Sequence, residues 1–256
     1  MSKAGWSTLE LMAVAAAREI ANGEVVFAGT GLPMLAALLA QHTHAPESNI
    51  VFEAGSVDPR MQQLPMSVGD SRALLKAAQA GGLFEVFNYV LQGGRVDVGF
   101  LGGAQIDRYG NLNSTAIGTD PRRPEVRLPG SGGSADLAAL SKRTVIIARH
   151  ERRRLPERVD YCTSPGWLSG GRSREEAGIR GGGPAALVTT MAVIRYRADS
   201  HEPYLSSYHP GFSPAQVQSQ TGFKLDLADA IETPAPTPQE LAILRNTVDP
   251  ERIFLG

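Results

Sequence analysis

The sequence predicts an α/β protein: a mostly parallel sheet flanked by helices, with a short antiparallel portion near the C-terminus. Three observations predict it. Short apolar runs end in glycine or a polar residue, helical patterns stand between those runs, and the pattern changes past residue 180. Parallel strands need a crossover, and a helix between two buried runs supplies one.

The elements follow in order. Residues 7–22, STLELMAVAAAREIAN, open the chain as a helix: Ser7 and Glu10 stand at capping-box spacing, apolar residues recur at helical intervals, and Asn22-Gly23 marks the stop. EVVFAGTGLP (24–33) is a short apolar run closing on Gly29, Gly31 and Pro33. The helical MLAALLAQH (34–42) and the strand NIVFEAG (49–55) come next. The alternation returns in LFEVFNYVLQGGRVDVGFLGGAQID (83–107) and in ADLAALSKRTVIIARH (135–150). Beyond it, AALVTTMAVIRYR (185–197) and PYLSSYHPGFS (203–213) read as antiparallel strands. Thr237, Pro238 and Glu240 start a closing helix by capping-box spacing with proline in its first turn. The Pro-rich ETPAPTPQE (232–240) is a short surface connection, so residues 1–256 are expected to form a single domain.

Composition narrows the function. A chain of 256 residues with 42% hydrophobic content buries an ample core, and a net charge of −1 without a lysine-rich run argues against nucleic acid or anionic lipid as partner. The nearest basic cluster, RHERRRLPER (149–158), reads either as a solvated loop or as a surface for a phosphate-bearing ligand. Cys162 is the only cysteine, which rules out an intrachain disulfide, and MSKAGWSTLE lacks the layout of a signal peptide. No apolar run reaches the roughly 18–20 residues of a membrane span. A cytoplasmic protein is expected. The five histidines never stand at metal-ligand spacing, so no metal is expected.

Parallel sheets hold ligands at the carboxyl ends of their strands. Those ends are Gly29-Thr30-Gly31, Glu53-Ala54-Gly55, Gly102-Gly103-Ala104-Gln105 and His150-Glu151, which together outline one candidate site. Glu53 demands a reason, because a carboxylate closing an apolar strand is partly desolvated. It is either an ion-paired or capping residue or a catalytic carboxylate. Glycine makes up 28 of 256 residues, about 11% against the usual ~7%. The excess clusters in LGGAQIDRYGNLNSTAIG (101–118) and PGSGGSADLAAL (129–140), where backbone N–H groups are left to face a ligand or the chain simply turns tightly. Asp107 and Asp136 fit turn or cap positions. The GTG at 29–31 is no dinucleotide fingerprint, since position 34 is Met.

FEAG (52–55), LGGAQIDRYGN (101–111), NSTAIG (113–118), GSGGSADL (130–137), HERRRLPERVDYCTSPGW (150–167), HPGFSP (209–214) and TGFKLD (221–226) together resemble the beta subunit of class I CoA-transferases of the glutaconate CoA-transferase type. The resemblance spans nearly the whole chain. It implies the NagB/RpiA-like CoA-transferase fold, with Glu53 as nucleophile and a glutamyl-CoA thioester as intermediate. It also implies coenzyme A as cosubstrate with no permanently bound cofactor, and an alpha subunit in a hetero-oligomer, α2β2 or larger, that acts on an acyl-CoA and a small (di)carboxylic acid. Gly55, Gly102, Gly103, Gln105, Gly132 and Gly133 are then candidates for the oxyanion and CoA contacts. The segment SVDPRMQQLPMSVGDSRAL (56–74) follows the nucleophile and is the candidate for acyl specificity. A CoA-thioester hydrolase or carbon–carbon-cleaving enzyme on this fold is the alternative. A non-catalytic ligand-sensing module is the third reading, and the absence of a basic helix-turn-helix pattern weighs against it.

Overall fold

A computed structural model describes residues 5–61 and 63–256. Residues 1–4 of the start read for a signal peptide, and Gln62 of the segment 56–74, lie outside the described residues. The described chain falls into two compact units, one of residues up to 100 together with 234–256, the other of residues 101–233.

In the first unit α1 (Thr8–Ala17) has the predicted capping box. The Ser7 N–H donates to the Glu10 carboxylate at 2.7 Å and the Glu10 N–H to Ser7 Oγ at 3.2 Å. The helix stops short of Asn22 because Glu19 N–H to Ala16 O (3.2 Å) and Ile20 N–H to Ala17 O (3.0 Å) tighten its last turn and drop Ile20 into the core. β1 (Val25–Phe27) leads to α2 (Leu32–His42), where Pro33 sits in the first turn and has no intrahelical N–H bond to lose. β2 (Asn49–Val51) runs parallel to β1, with Val25 opposite Asn49 and Phe27 opposite Val51. The chain then doubles back. β3 (Ser56–Val57) pairs antiparallel with β2, and β4 (Gln79–Ala80) pairs antiparallel with β3 as an edge strand. The helix α3 (Leu83–Glu85) starts where the Glu85 carboxylate accepts the Gly82 N–H at 2.8 Å, and it widens into a π-helical stretch, Val86–Leu91. β5 (Val98–Leu101) is parallel to β1, Val26 opposite Val98.

The second unit opens with two small hairpins, β6 (Gln105–Ile106) with β7 (Leu112–Asn113) and β8 (Ala116–Ile117) with β9 (Val126–Arg127). α4 (Ser134–Leu140) feeds β10 (Arg143–Ala148). After α5 (Ser173–Glu176), β11 (Pro184–Thr189) lies parallel to β10. β12 (Ala192–Tyr196) and β13 (Pro203–Tyr208) supply the antiparallel portion expected near the C-terminus. α6 (Pro214–Ser219) and the short β14 (Ile231–Glu232), parallel to β13, complete the unit. The closing helix α7 (Pro238–Ile243) rejoins the first unit under the predicted Thr237–Glu240 capping box. Arg18 holds it by two bonds to the Glu240 carboxylate at 3.0 and 2.8 Å, and Arg245, just beyond it, grips the buried Glu10 of α1 at 2.6 and 3.0 Å. The α/β class, the helical flanks and the late antiparallel strands are as the sequence predicts; the β2–β3–β4 meander and the two small hairpins are not in that reading. Among the described residues no helix is long and apolar enough to cross a membrane.

Candidate active site

The apolar run of β2 continues into Phe52, which is fully buried. Its N–H donates to Ser56 O at 2.9 Å and its carbonyl accepts the Gly55 N–H at 3.0 Å, which closes a tight turn between β2 and β3. Glu53 and Ala54 are the two residues left at the tip. Gly55 closes the turn with φ at +115°, a conformation open to glycine. Its N–H is engaged in the turn, so this candidate oxyanion donor serves the backbone. Ala28 N–H donates to Val51 O at 3.1 Å, so Gly29-Thr30-Gly31 leaves β1 at the same end of the sheet as the Glu53 turn leaves β2.

Glu53 is half-buried, and among the described residues its carboxylate makes no ion pair and accepts no hydrogen bond. A structural glutamate at a strand end would be paired or capping, as Glu10, Glu85 and Glu240 are. A carboxylate thinned of water and without a partner is a nucleophile with little to release before it reacts.

Gly102 and Gly103 follow β5 as the first turn of the second unit. Among the described residues their N–H groups donate to no other group, while the next residue, Ala104, donates to Asn113 O at 2.8 Å. Gln105 is buried, and its side-chain oxygen accepts both Asn113 Nδ2 at 2.8 Å and the Asp160 N–H at 3.0 Å, so half of its amide is structural. Gly132 and Gly133 form the turn ahead of α4, where the Gly133 carbonyl accepts the Leu137 N–H at 2.9 Å. Asp136 is exposed in the first turn of α4.

Asp107 holds a turn. Its carboxylate accepts the N–H groups of Tyr109 and Asn111, both at 3.0 Å, as well as the Asn111 amide, and burial pushes it above the usual carboxylate range against those bonds. Asn111 in turn accepts the Gly166 N–H at 2.8 Å, which fixes the loop TSPGW. The basic stretch 149–158 is largely committed: Arg153 and Arg154 pair with Glu151 at 2.8 and 3.3 Å, and Arg152 donates to the carbonyls of Ser219 and Thr221. Arg158 lines a cavity of about 640 Å³ with Asp107, Arg108, Tyr109 and Cys162. Burial, aided by Asp107, raises the Cys162 thiol pKa, so Cys162 is not an activated nucleophile.

Three relationships escape a reading of the sequence. Gly81 donates its N–H to Gly55 O at 2.9 Å, bracing the Glu53 turn from behind; the only signal is the Gly81-Gly82 pair ahead of a helix. Arg174 is buried, and its guanidinium donates to four carbonyls, those of Ala138, Pro165, Gly166 and Gly181, at 2.5–3.1 Å. His150 and His209 are both buried and both bind Thr189, one through its hydroxyl at 2.9 Å and the other through its carbonyl at 2.8 Å.

The sequence profile of the coenzyme A transferase family matches residues 9–220. The B subunit of 3-oxoadipate CoA-transferase from Pseudomonas knackmussii is 42% identical over 94% of this chain and 92% of its own length. The B subunit of glutaconate CoA-transferase from Acidaminococcus fermentans is 39% identical over 98% and 95%. The crystal structure of that enzyme superposes with a TM-score of 0.91, covering 99% of this chain and 98% of that one at 38% identity. The decarboxylase AibA/AibB is more distant, with a TM-score of 0.80 and 28% identity over 93% of each chain.

Proposed function

The chain belongs to the coenzyme A transferase family, and on that premise we propose that it is the beta subunit of a CoA-transferase that moves coenzyme A between an acyl-CoA and a small carboxylic acid through Glu53. The carrying observation is the half-buried carboxylate without a partner at the tip of the turn after β2.

The chemistry runs in balanced steps. A Glu53 oxygen attacks the thioester carbonyl, the tetrahedral oxyanion collapses, and CoA thiolate leaves a mixed anhydride of Glu53 and the acyl group. The thiolate then attacks the Glu53 carbonyl carbon, the donor carboxylate departs, and a glutamyl-CoA thioester remains. An acceptor carboxylate reverses the two steps and restores Glu53. Each displacement keeps the energy of the thioester, and none needs a proton moved. The oxyanion requires N–H donors aimed at it. We assign that role and the CoA contacts to Gly102, Gly103, Gly132 and Gly133 with the amide of Gln105, while Gly55 serves the turn. The unengaged N–H groups at Gly102 and Gly103 support the assignment.

Glutaconate and 3-oxoadipate, in the names of the two similar proteins, are dicarboxylic acids, and a small dicarboxylate is the substrate class we expect here. Both of those proteins are named as one subunit of a larger enzyme. The chain is accordingly one half of a catalytic pair, in a hetero-oligomer of α2β2 or larger, and acts as a single functional domain in the cytoplasm.

The test is the intact mass of the protein, co-expressed with its companion alpha subunit and incubated with a panel of acyl-CoAs, with borohydride added to trap the thioester. A CoA adduct or its reduced product, absent from Glu53→Ala, is the expected result. Consumption of acyl-CoA with no adduct at Glu53 overturns the transferase reading in favour of hydrolysis or carbon–carbon cleavage.

A further inference from the structure

Six of the ten large apolar side chains left exposed among the described residues fall in one stretch of the first unit. They are Met66, Leu74, Leu75, Leu83, Phe84 and Tyr89, each 41–63% exposed. Single exposed apolar residues are ordinary, but a concentration of them marks a partner surface. Between Ala73 and Phe84 the only charged residue is Lys76, which matches the depletion of charge in interface cores. Phe84 and Tyr89 meet edge to face with ring centroids 5.8 Å apart, two aromatic anchors already set in place. The stretch is centred on β4, an edge strand whose two residues are both exposed. At roughly 100 Å² for each side chain, the six offer on the order of 600 Å², most of the ~800 Å² that each partner contributes to a standard interface.

The same stretch is bonded to the Glu53 turn along its length. Ser56 Oγ donates to Ala73 O. Arg60 N–H donates to Leu75 O at 3.0 Å, Ala78 N–H to Val57 O at 3.0 Å, and Gly81 N–H to Gly55 O at 2.9 Å. A partner seated on this face rests on the backbone that positions the nucleophile.

We infer that β4 and its flanking segments, residues 66–75 and 83–89, are the face on which this chain docks the companion alpha subunit of its transferase. The inference rests on the reading of the chain as a beta subunit. An alpha subunit supplies what this chain lacks beside Glu53, whereas a second copy of the chain repeats the same surface and adds only another Glu53. The area available and the scarcity of charge fit a lasting apolar interface.

The experiment co-expresses the chain with the alpha subunit encoded in the same genome and measures the complex by sedimentation. The variants are Leu75→Asp, Phe84→Asp and, as a control exposed in the second unit, Ile231→Asp. Leu75→Asp and Phe84→Asp are expected to weaken the alpha–beta complex by roughly 30-fold or more, with unchanged far-UV spectra and unfolding midpoints, and Ile231→Asp to leave it intact. A complex that keeps its wild-type affinity in both variants overturns the docking face and leaves the beta-subunit reading standing. A wild-type chain that binds no alpha subunit overturns that reading and the docking face with it. A homodimer of the chain alone that Phe84→Asp dissolves assigns the face to a second copy and overturns the inference.

Discussion

The N–H of Gly81 donates to the carbonyl of Gly55 at 2.9 Å, and the oxygen of Gly81 stands only 2.2 Å from where a Cβ on Gly55 would lie. The turn that carries Glu53 thus depends on two glycines pressed together, with Gly55 at a φ of +115° that L side chains avoid.

Gly55→Ala is expected to cost about 2–4 kcal/mol of stability, because clash and backbone strain act together. The denaturant midpoint reads the loss, and turnover falls as the Glu53 tip shifts. Wild-type stability in this variant contradicts the packing.

Glu53→Gln separates chemistry from folding. The side chain has no partner among the described residues, so stability should stay within about 0.5 kcal/mol of wild type. Turnover should fall by at least ~10⁴-fold with loss of the nucleophile. A large loss of stability would reveal a structural role.

His150 and His209 set an acid limit. Burial lowers both pKa values from 6.5 to about 4 in the folded protein, so the unfolded chain takes up protons that the folded chain refuses. Their contribution is fully present above pH 6.5 and is lost as pH falls toward 4, by roughly 3 kcal/mol for each ring at pH 4. Urea midpoints between pH 7.5 and 4.5 should drop along this course, and NMR should find both rings neutral at pH 5. Rings already protonated at pH 5 would refute the burial argument.

Arg174 is an unpaired buried cation held by four carbonyls, and burial lowers its pKa to about 10. Arg174→Met leaves those carbonyls without a donor and should destabilise the protein by about 3 kcal/mol or more. Arg174→Lys should recover part of this, since an ammonium has fewer donors. Equal midpoints for Met and Arg would show that the carbonyls find other donors.

The segment 56–74 is a swap target. Exchange for the matching stretch of the 3-oxoadipate CoA-transferase relative should change the acyl-CoA profile while a Glu53 adduct still forms. An unchanged profile removes the segment from specificity.

What the sequence by itself determined is local or compositional. Ser7 with Glu10 and Thr237 with Glu240 were readable as helix starts because each pair closes its bonds within three residues. The apolar run before Glu53 announced a buried strand end, and the order of the glycine-rich loops carried the family. The end of α1 was misplaced because Ile20 turns inward to a core that helical periodicity does not encode.

Only the tertiary structure decided how Glu53 is presented. Nothing near FEAG in the sequence says that β3 folds back on β2, that Gly81 braces Gly55, or that the Gly55 N–H is engaged by Phe52. The four carbonyls around Arg174 and the Thr189 link between His150 and His209 likewise join residues far apart in the chain. Capping bonds form between near neighbours whatever surrounds them. Close approach, burial and the absence of a partner exist only once distant segments have been brought together, so the type of Glu53 was legible and its exposure without a counter-charge was not.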